Sequence, residues 1–79
     1  MIIEIFGSGC SKCKRLERNT RDALKELGID AELRKVEDYD EMVDRGIIMT
    51  PTLTINGKTY VSGRVATIKE IKKILQDLS

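Results

Sequence analysis

Ile2-Ile3-Glu4-Ile5-Phe6-Gly7-Ser8-Gly9-Cys10-Ser11-Lys12-Cys13 is the stretch on which the fold turns. Its first five residues are mostly apolar and have the length of one strand, and Gly7-Ser8-Gly9 is the turn signal that ends it. Beyond the turn, apolar or small residues recur at Cys13, Leu16, Thr20, Ala23, Leu24 and Leu27, the spacing of one helix face. The two cysteines therefore fall where a strand stops and a helix starts. At a helix N-terminus the unpaired N–H groups and the positive end of the macrodipole favour thiolate over thiol. The thiolate is the nucleophile, and placement and spacing together point to thiol–disulfide exchange.

Working outward, the helix is predicted over Ser11 to Leu27, with Gly28 as the residue that ends it. Ala31-Glu32-Leu33-Arg34-Lys35-Val36 reads as a strand near a sheet edge, because one face is charged. Asp38 with Glu41 three residues later has the form of a capping box opening a short helix that stops at Gly46. Thr52-Leu53-Thr54-Ile55 alternates as a third strand. Asn56-Gly57 then predicts a hairpin to Thr59-Tyr60-Val61-Ser62. Thr67 and Glu70 box the start of a last helix, with Ile68, Ile71, Ile74, Leu75 and Leu78 along one face. The order is β-α-β-α-β-β-α, an α/β chain whose first half fits a right-handed parallel unit and whose second half is a hairpin with a covering helix.

Seventy-nine residues make one domain, 1–79, with a thin core, since a chain of this size buries only about 60% of its unfolded surface. Charged residues at 34% and hydrophobic residues at 41% exclude the disordered class. A formal net charge of +1 gives no reason to expect a nucleic-acid or acidic-membrane partner. No stretch approaches the ~20 apolar residues that span a bilayer, and Met1 leads into a strand rather than a signal sequence, so the expected location is cytoplasmic. There a CxxC is catalytic or metal-binding more often than a structural staple. Two cysteines and no histidine rule out a closed four-ligand zinc site within one chain.

The CxxC after the first strand, together with Thr50-Pro51 opening the third, resembles the thioredoxin/glutaredoxin superfamily along essentially the whole chain. At this length the chain is most similar to the small, glutaredoxin-sized, thioredoxin-like redox-active disulfide proteins of prokaryotes. The resemblance implies a thioredoxin fold with a central four-stranded mixed sheet and a thiol–disulfide oxidoreductase that needs no bound cofactor. It also implies that Cys10 is the exposed attacking thiol and Cys13 the buried resolving thiol. The Thr50–Pro51 bond is expected to be cis and to face the cysteines, leaving Thr50 to pair with substrate backbone. The partners implied are a protein disulfide and an electron-donating disulfide reductase. Glutathione is not favoured, because Ser62-Gly63-Arg64-Val65-Ala66 holds one glycine and no acid where glutaredoxins carry Gly-Gly and aspartate. Gly63 is expected to allow a close backbone approach beside the site.

Other readings of the same residues stay open from sequence alone. Two thiolates suit Cu(I), which makes a soft-metal carrier an alternative. Against it, copper-handling domains follow a β-α-β-β-α-β order and typically place methionine where this chain has Ser8. A redox-sensing module without turnover is a third reading. Lys12, between the cysteines, is a candidate for favouring the thiolate, whereas Lys14 and Arg15 read as a solvated basic face. Glu4 lies six residues before Cys10, the separation at which thioredoxins carry a buried acid that exchanges the resolving thiol's proton. The favoured reading is a carboxylate at the sheet margin, reaching water or a surface lysine. Ile48 and Met49 are either an apolar rim for a protein partner or, in one case, core.

Overall fold

Strand β1 (Ile2–Phe6) holds an inner place in a four-stranded sheet, which is why all of it but Ile2 is buried. The computed structural model describes residues 1–7 and 11–78. After β1 come α1 (Ser11–Leu27), β2 (Glu32–Val36), α2 (Tyr39–Asp44), β3 (Thr52–Ile55), β4 (Lys58–Ser62) and α3 (Ile68–Leu78). The sheet order is β2-β1-β3-β4, with β2 parallel to β1, and β3 antiparallel to both β1 and β4. This is the β-α-β-α-β-β-α order and mixed sheet of the thioredoxin fold.

The element ends follow the local chemistry. Gly28 takes φ +67° after α1, and its N–H and that of Ile29 return to the carbonyls of Lys25 and Leu24 at 3.2 and 3.0 Å. Gly46 closes α2 in the same way, through Val43 at 3.1 Å and Ile47 to Met42 at 2.8 Å. Both are paired-hydrogen-bond helix stops that use a left-handed glycine. Asp38 caps α2 by accepting from the Asp40 N–H at 2.9 Å, while Glu41 turns to Arg45, one helical turn on, at 3.9 Å. The expected reciprocal box at Asp38 is thus replaced by a one-sided cap and an i,i+4 ion pair. At α3 the reciprocal box forms: Glu70 N–H donates to Thr67 Oγ1 at 3.1 Å, and Thr67 N–H to Glu70 Oε1 at 3.2 Å.

The sheet has two differently covered faces. Ile3, Ile5, Leu53, Ile55 and Val61 pack beneath Leu16, Ala23 and Leu24 of α1 and Ile71 and Leu75 of α3. Phe6 and Val36 on the other face pack with Met42 of α2 and with Ile47. The polar side of β3 is buried as well: Thr52 and Thr54 are each 2% exposed, on the face that Met42 of α2 and Ile47 cover. Their hydroxyls find partners, Thr52 on the Met49 carbonyl and Thr54 on Glu4. Leu78, placed on the apolar face of α3 by its spacing, is exposed at the end of the helix.

Candidate active site

Cys13 sits in the first turn of α1 on the stripe that faces the sheet, and the same amphipathic spacing that buries Leu16 buries it. Cys10, with Ser8 and Gly9, lies outside the described residues. The Cys13 sulfur rests against the main chain just past β1. A Cβ built on Gly7 would fall 2.1 Å from Cys13 Sγ, 3.1 Å from Cys13 Cβ and 4.0 Å from Thr50 Cβ. One point behind the end of β1 therefore joins the resolving-thiol candidate to the loop that enters β3. In that loop the Thr50–Pro51 peptide bond is cis, Pro51 is buried and Thr50 is exposed.

The loop is tied to the strand beside it. Gly63 N–H donates to the Pro51 carbonyl at 2.9 Å. Gly63 has φ +74°, and a Cβ there would come within 2.6 Å of Met49 Cε. The close approach at Gly63 thus includes this chain's own Met49, whose side chain lies on it. Met49 and Ile48 are both exposed, Ile48 at 94%, so neither is core. Arg64 pairs with Glu70 at 2.7 Å.

A cleft opens beside Cys13 between α1 and β2. Its buried lining is Ile5, Gly7 and Cys13, and its charged lining is Lys14, Glu17, Lys35 and Glu37. Glu17 follows Cys13 by four residues and so shares its helix face. Its carboxylate meets Arg21 at 3.2 Å and Lys35 at 3.6 Å, and Lys35 also lies 3.9 Å from Glu37. Lys12 and Arg15 are exposed. Among the described residues, no group of three or more histidine, cysteine, aspartate or glutamate side chains is placed to hold a metal ion.

Glu4 is only 8% exposed, and its charged partner is an arginine rather than a lysine. Arg45, the C-cap of α2, donates to both of its oxygens, Nη2 to Oε1 at 2.6 Å and Nη1 to Oε2 at 3.2 Å. The guanidinium also lies 5.2 Å from the centre of the Phe6 ring. The hydrogen bond from Arg45 outweighs burial and holds the Glu4 carboxyl below its ordinary pKa. Period-2 alternation puts Glu4 with Phe6 on the α2 side of the sheet, whereas Cys13 packs beside Ile5 on the α1 side. A relay acid needs a pKa near the working pH and access to the thiol. Glu4 makes an ion pair with Arg45 and accepts a hydrogen bond from Thr54, on the opposite face of the sheet from Cys13. Arg45 is the residue the sequence reading missed. The Glu41–Arg45 spacing hinted at a surface pair, but nothing local pointed forty-one positions back to Glu4.

Comparison with known proteins decides the family. A thioredoxin-domain family model matches residues 1–76. The chain belongs to the thioredoxin family. Among its relatives, a thioredoxin of Methanothermobacter thermautotrophicus is 48% identical over 75 residues, which cover 95% of this chain and 97% of that protein. A thioredoxin of Methanocaldococcus jannaschii is 37% identical over 76 residues, 96% of this chain and 87% of its own. Thioredoxins are thiol–disulfide oxidoreductases, and this chain is one by family. Among the described residues no helix is long and apolar enough to cross a membrane.

Proposed function

We propose that residues 1–79 form one thioredoxin-like domain in which Cys10 and Cys13 reduce, or exchange with, disulfides of protein partners. The Cys10 thiolate attacks one sulfur of the target disulfide, and the other sulfur leaves with the bonding electron pair and takes a proton. Cys13 then loses its proton to solvent and attacks Cys10 Sγ in the mixed disulfide. The Cys10–Cys13 bond forms as the bond to the target breaks, and the target's second sulfur leaves as thiolate. The chain's dithiol has given up two electrons and the target disulfide has gained them. An electron-donating disulfide reductase restores the dithiol.

The observation that carries this reading is the burial of Cys13 at the start of α1, against Gly7 and beside Thr50. A thiol held there meets a partner's sulfur only after Cys10 has captured it, which suits a resolving role. The exposure of Thr50 supports its pairing with an extended substrate backbone, and Ile48 and Met49 supply apolar surface next to it. Lys12 is exposed, so its help to the Cys10 thiolate is worth under ~1 kcal/mol. The family favours this exchange over a copper carrier, and a cytoplasmic setting suits a dithiol kept reduced.

The test is to trap the mixed disulfide. A Cys13→Ala chain mixed with an oxidised protein substrate should accumulate a covalent adduct on Cys10, and the wild-type chain should turn over without accumulating one. An adduct on neither chain, together with no turnover, would reject the reading.

A further inference from the structure

Gly7 differs from four other glycines in why it is glycine. Gly28, Gly46, Gly57 and Gly63 all have positive φ, which alone explains them. Gly7 is not among them, and its N–H donates to the Val36 carbonyl at 3.0 Å, continuing the pairing of β1 with β2. Its surroundings also differ. A Cβ at Gly28, Gly46 or Gly57 would meet nothing within 4 Å, whereas at Gly7 it would overlap Cys13 Sγ. A turn signal accounts for a glycine at this point in the sequence but not for a sulfur packed where its side chain would be.

We propose that Gly7 is a positioning residue for the resolving step: its missing side chain is the seat of the Cys13 sulfur. The proposal rests on the reading of Cys13 as the resolving thiol. Nonbonded heavy atoms settle at about 3.5 Å or more, so an alanine methyl 2.1 Å from Sγ must displace the sulfur by more than roughly 1 Å. The Gly7 side is main chain held by a ladder hydrogen bond, and on the other side Thr50 Cβ lies only 4.0 Å from the methyl. Cysteine has one side-chain torsion, so Sγ yields by turning into another staggered well, away from its line of attack. Displacements of this size in a reacting group cost on the order of a hundredfold in rate. The first attack, by Cys10, does not use the Cys13 sulfur and is spared.

A symmetric aromatic disulfide with a coloured thiolate separates the two steps, one thiolate being released by Cys10 and the second by resolution. In the reduced wild-type chain both are released, the second rapidly. In Gly7→Ala the first release keeps its rate to within about twofold, and the second slows on the order of a hundredfold. An unchanged second release in Gly7→Ala overturns the proposal and leaves the exchange reading standing. A wild-type chain that releases only one thiolate rejects the exchange reading itself, and the proposal falls with it. Thermal unfolding protects the test if Gly7→Ala folds poorly. Removing the sulfur with Cys13→Ala should restore most of the melting temperature lost in Gly7→Ala, and an equal loss in both backgrounds overturns the proposal.

Discussion

Among the described residues, the two faces of the sheet each bury an ionisable side chain, Glu4 midway along β1 and Cys13 beyond its carboxyl end, and they treat it in opposite ways. On the α2 face, Glu4 is fixed in its charged form by two hydrogen bonds from Arg45, beneath a small cluster of Phe6, Val36 and Met42. On the α1 face, Cys13 is lodged against the Gly7 main chain in a cleft with lysines and glutamates along its lining. Burying a charge is tolerable when a partner travels with it, but a bidentate partner also holds the group in one state. A carboxylate so held contributes to folding and is poorly suited to passing protons. A thiol that must change state belongs where its position is fixed by shape, and this is the arrangement around Cys13.

Separating the faces by mutation tests that division. The largest effects should come from the cysteines: Cys10→Ala abolishes disulfide exchange, and Cys13→Ala stops turnover after one mixed disulfide, both with little loss of stability, as thiol counting and calorimetry would show. Arg45→Ala should do the reverse. Leaving Glu4 buried without its partner is expected to cost roughly 2 kcal/mol, less than a fully buried pair because Arg45 is about a third exposed. Denaturant unfolding would read that loss, with the rate of exchange nearly unchanged. A loss of exchange equal to that in Cys13→Ala would join the two faces and break the comparison.

Acid provides a finer probe. Arg45 holds the folded Glu4 carboxyl below its ordinary value of 4.5, so the unfolded chain binds that proton more readily. The stabilisation from the pair is whole above pH about 4.5 and fades as pH falls through the folded-state pKa. Glu70 is lowered in the same direction by its hydrogen bonds from Arg64 and the Thr67 backbone, so the difference between wild type and Glu4→Gln isolates the Glu4 share. Glu4→Gln should flatten the acid limb of stability and leave the pH profile of exchange above pH about 6 unmoved. The chain has no histidine, so that profile reports the thiols. The smallest effect is at the rim: Ile48→Ser should raise KM for a protein disulfide by roughly fivefold, the loss of one partly buried apolar contact. It should leave a small aromatic disulfide unaffected, as paired steady-state assays would show.

Periodicity and punctuation carried most of the fold. The helix face of α1, the glycines that end α1 and α2, the Asn56-Gly57 hairpin and the Thr67–Glu70 box all depend on neighbours within a few residues, where sequence patterns are strongest. What sequence did not disclose depends on distant contacts. Alternation marked Thr52-Leu53-Thr54-Ile55 as a strand, and the burial of both threonines depends on the face that α2 covers. Glu4 matched a family position for a relay acid, but its state is set by Arg45. Gly7 read as half of a turn signal, and its second role appears only when the Cys13 sulfur is seen in the space a side chain would fill.

The most direct test of the central claim is equilibration of the wild-type chain against defined thiol–disulfide buffers, with both cysteines alkylated and counted by mass. The account predicts one reversible two-electron transition in which Cys10 and Cys13 become protected together, at a potential within the range of thioredoxin-fold dithiols, about −270 to −120 mV. Two cysteines that oxidise independently, or a Cys13 that stays alkylatable while Cys10 is oxidised, would contradict it.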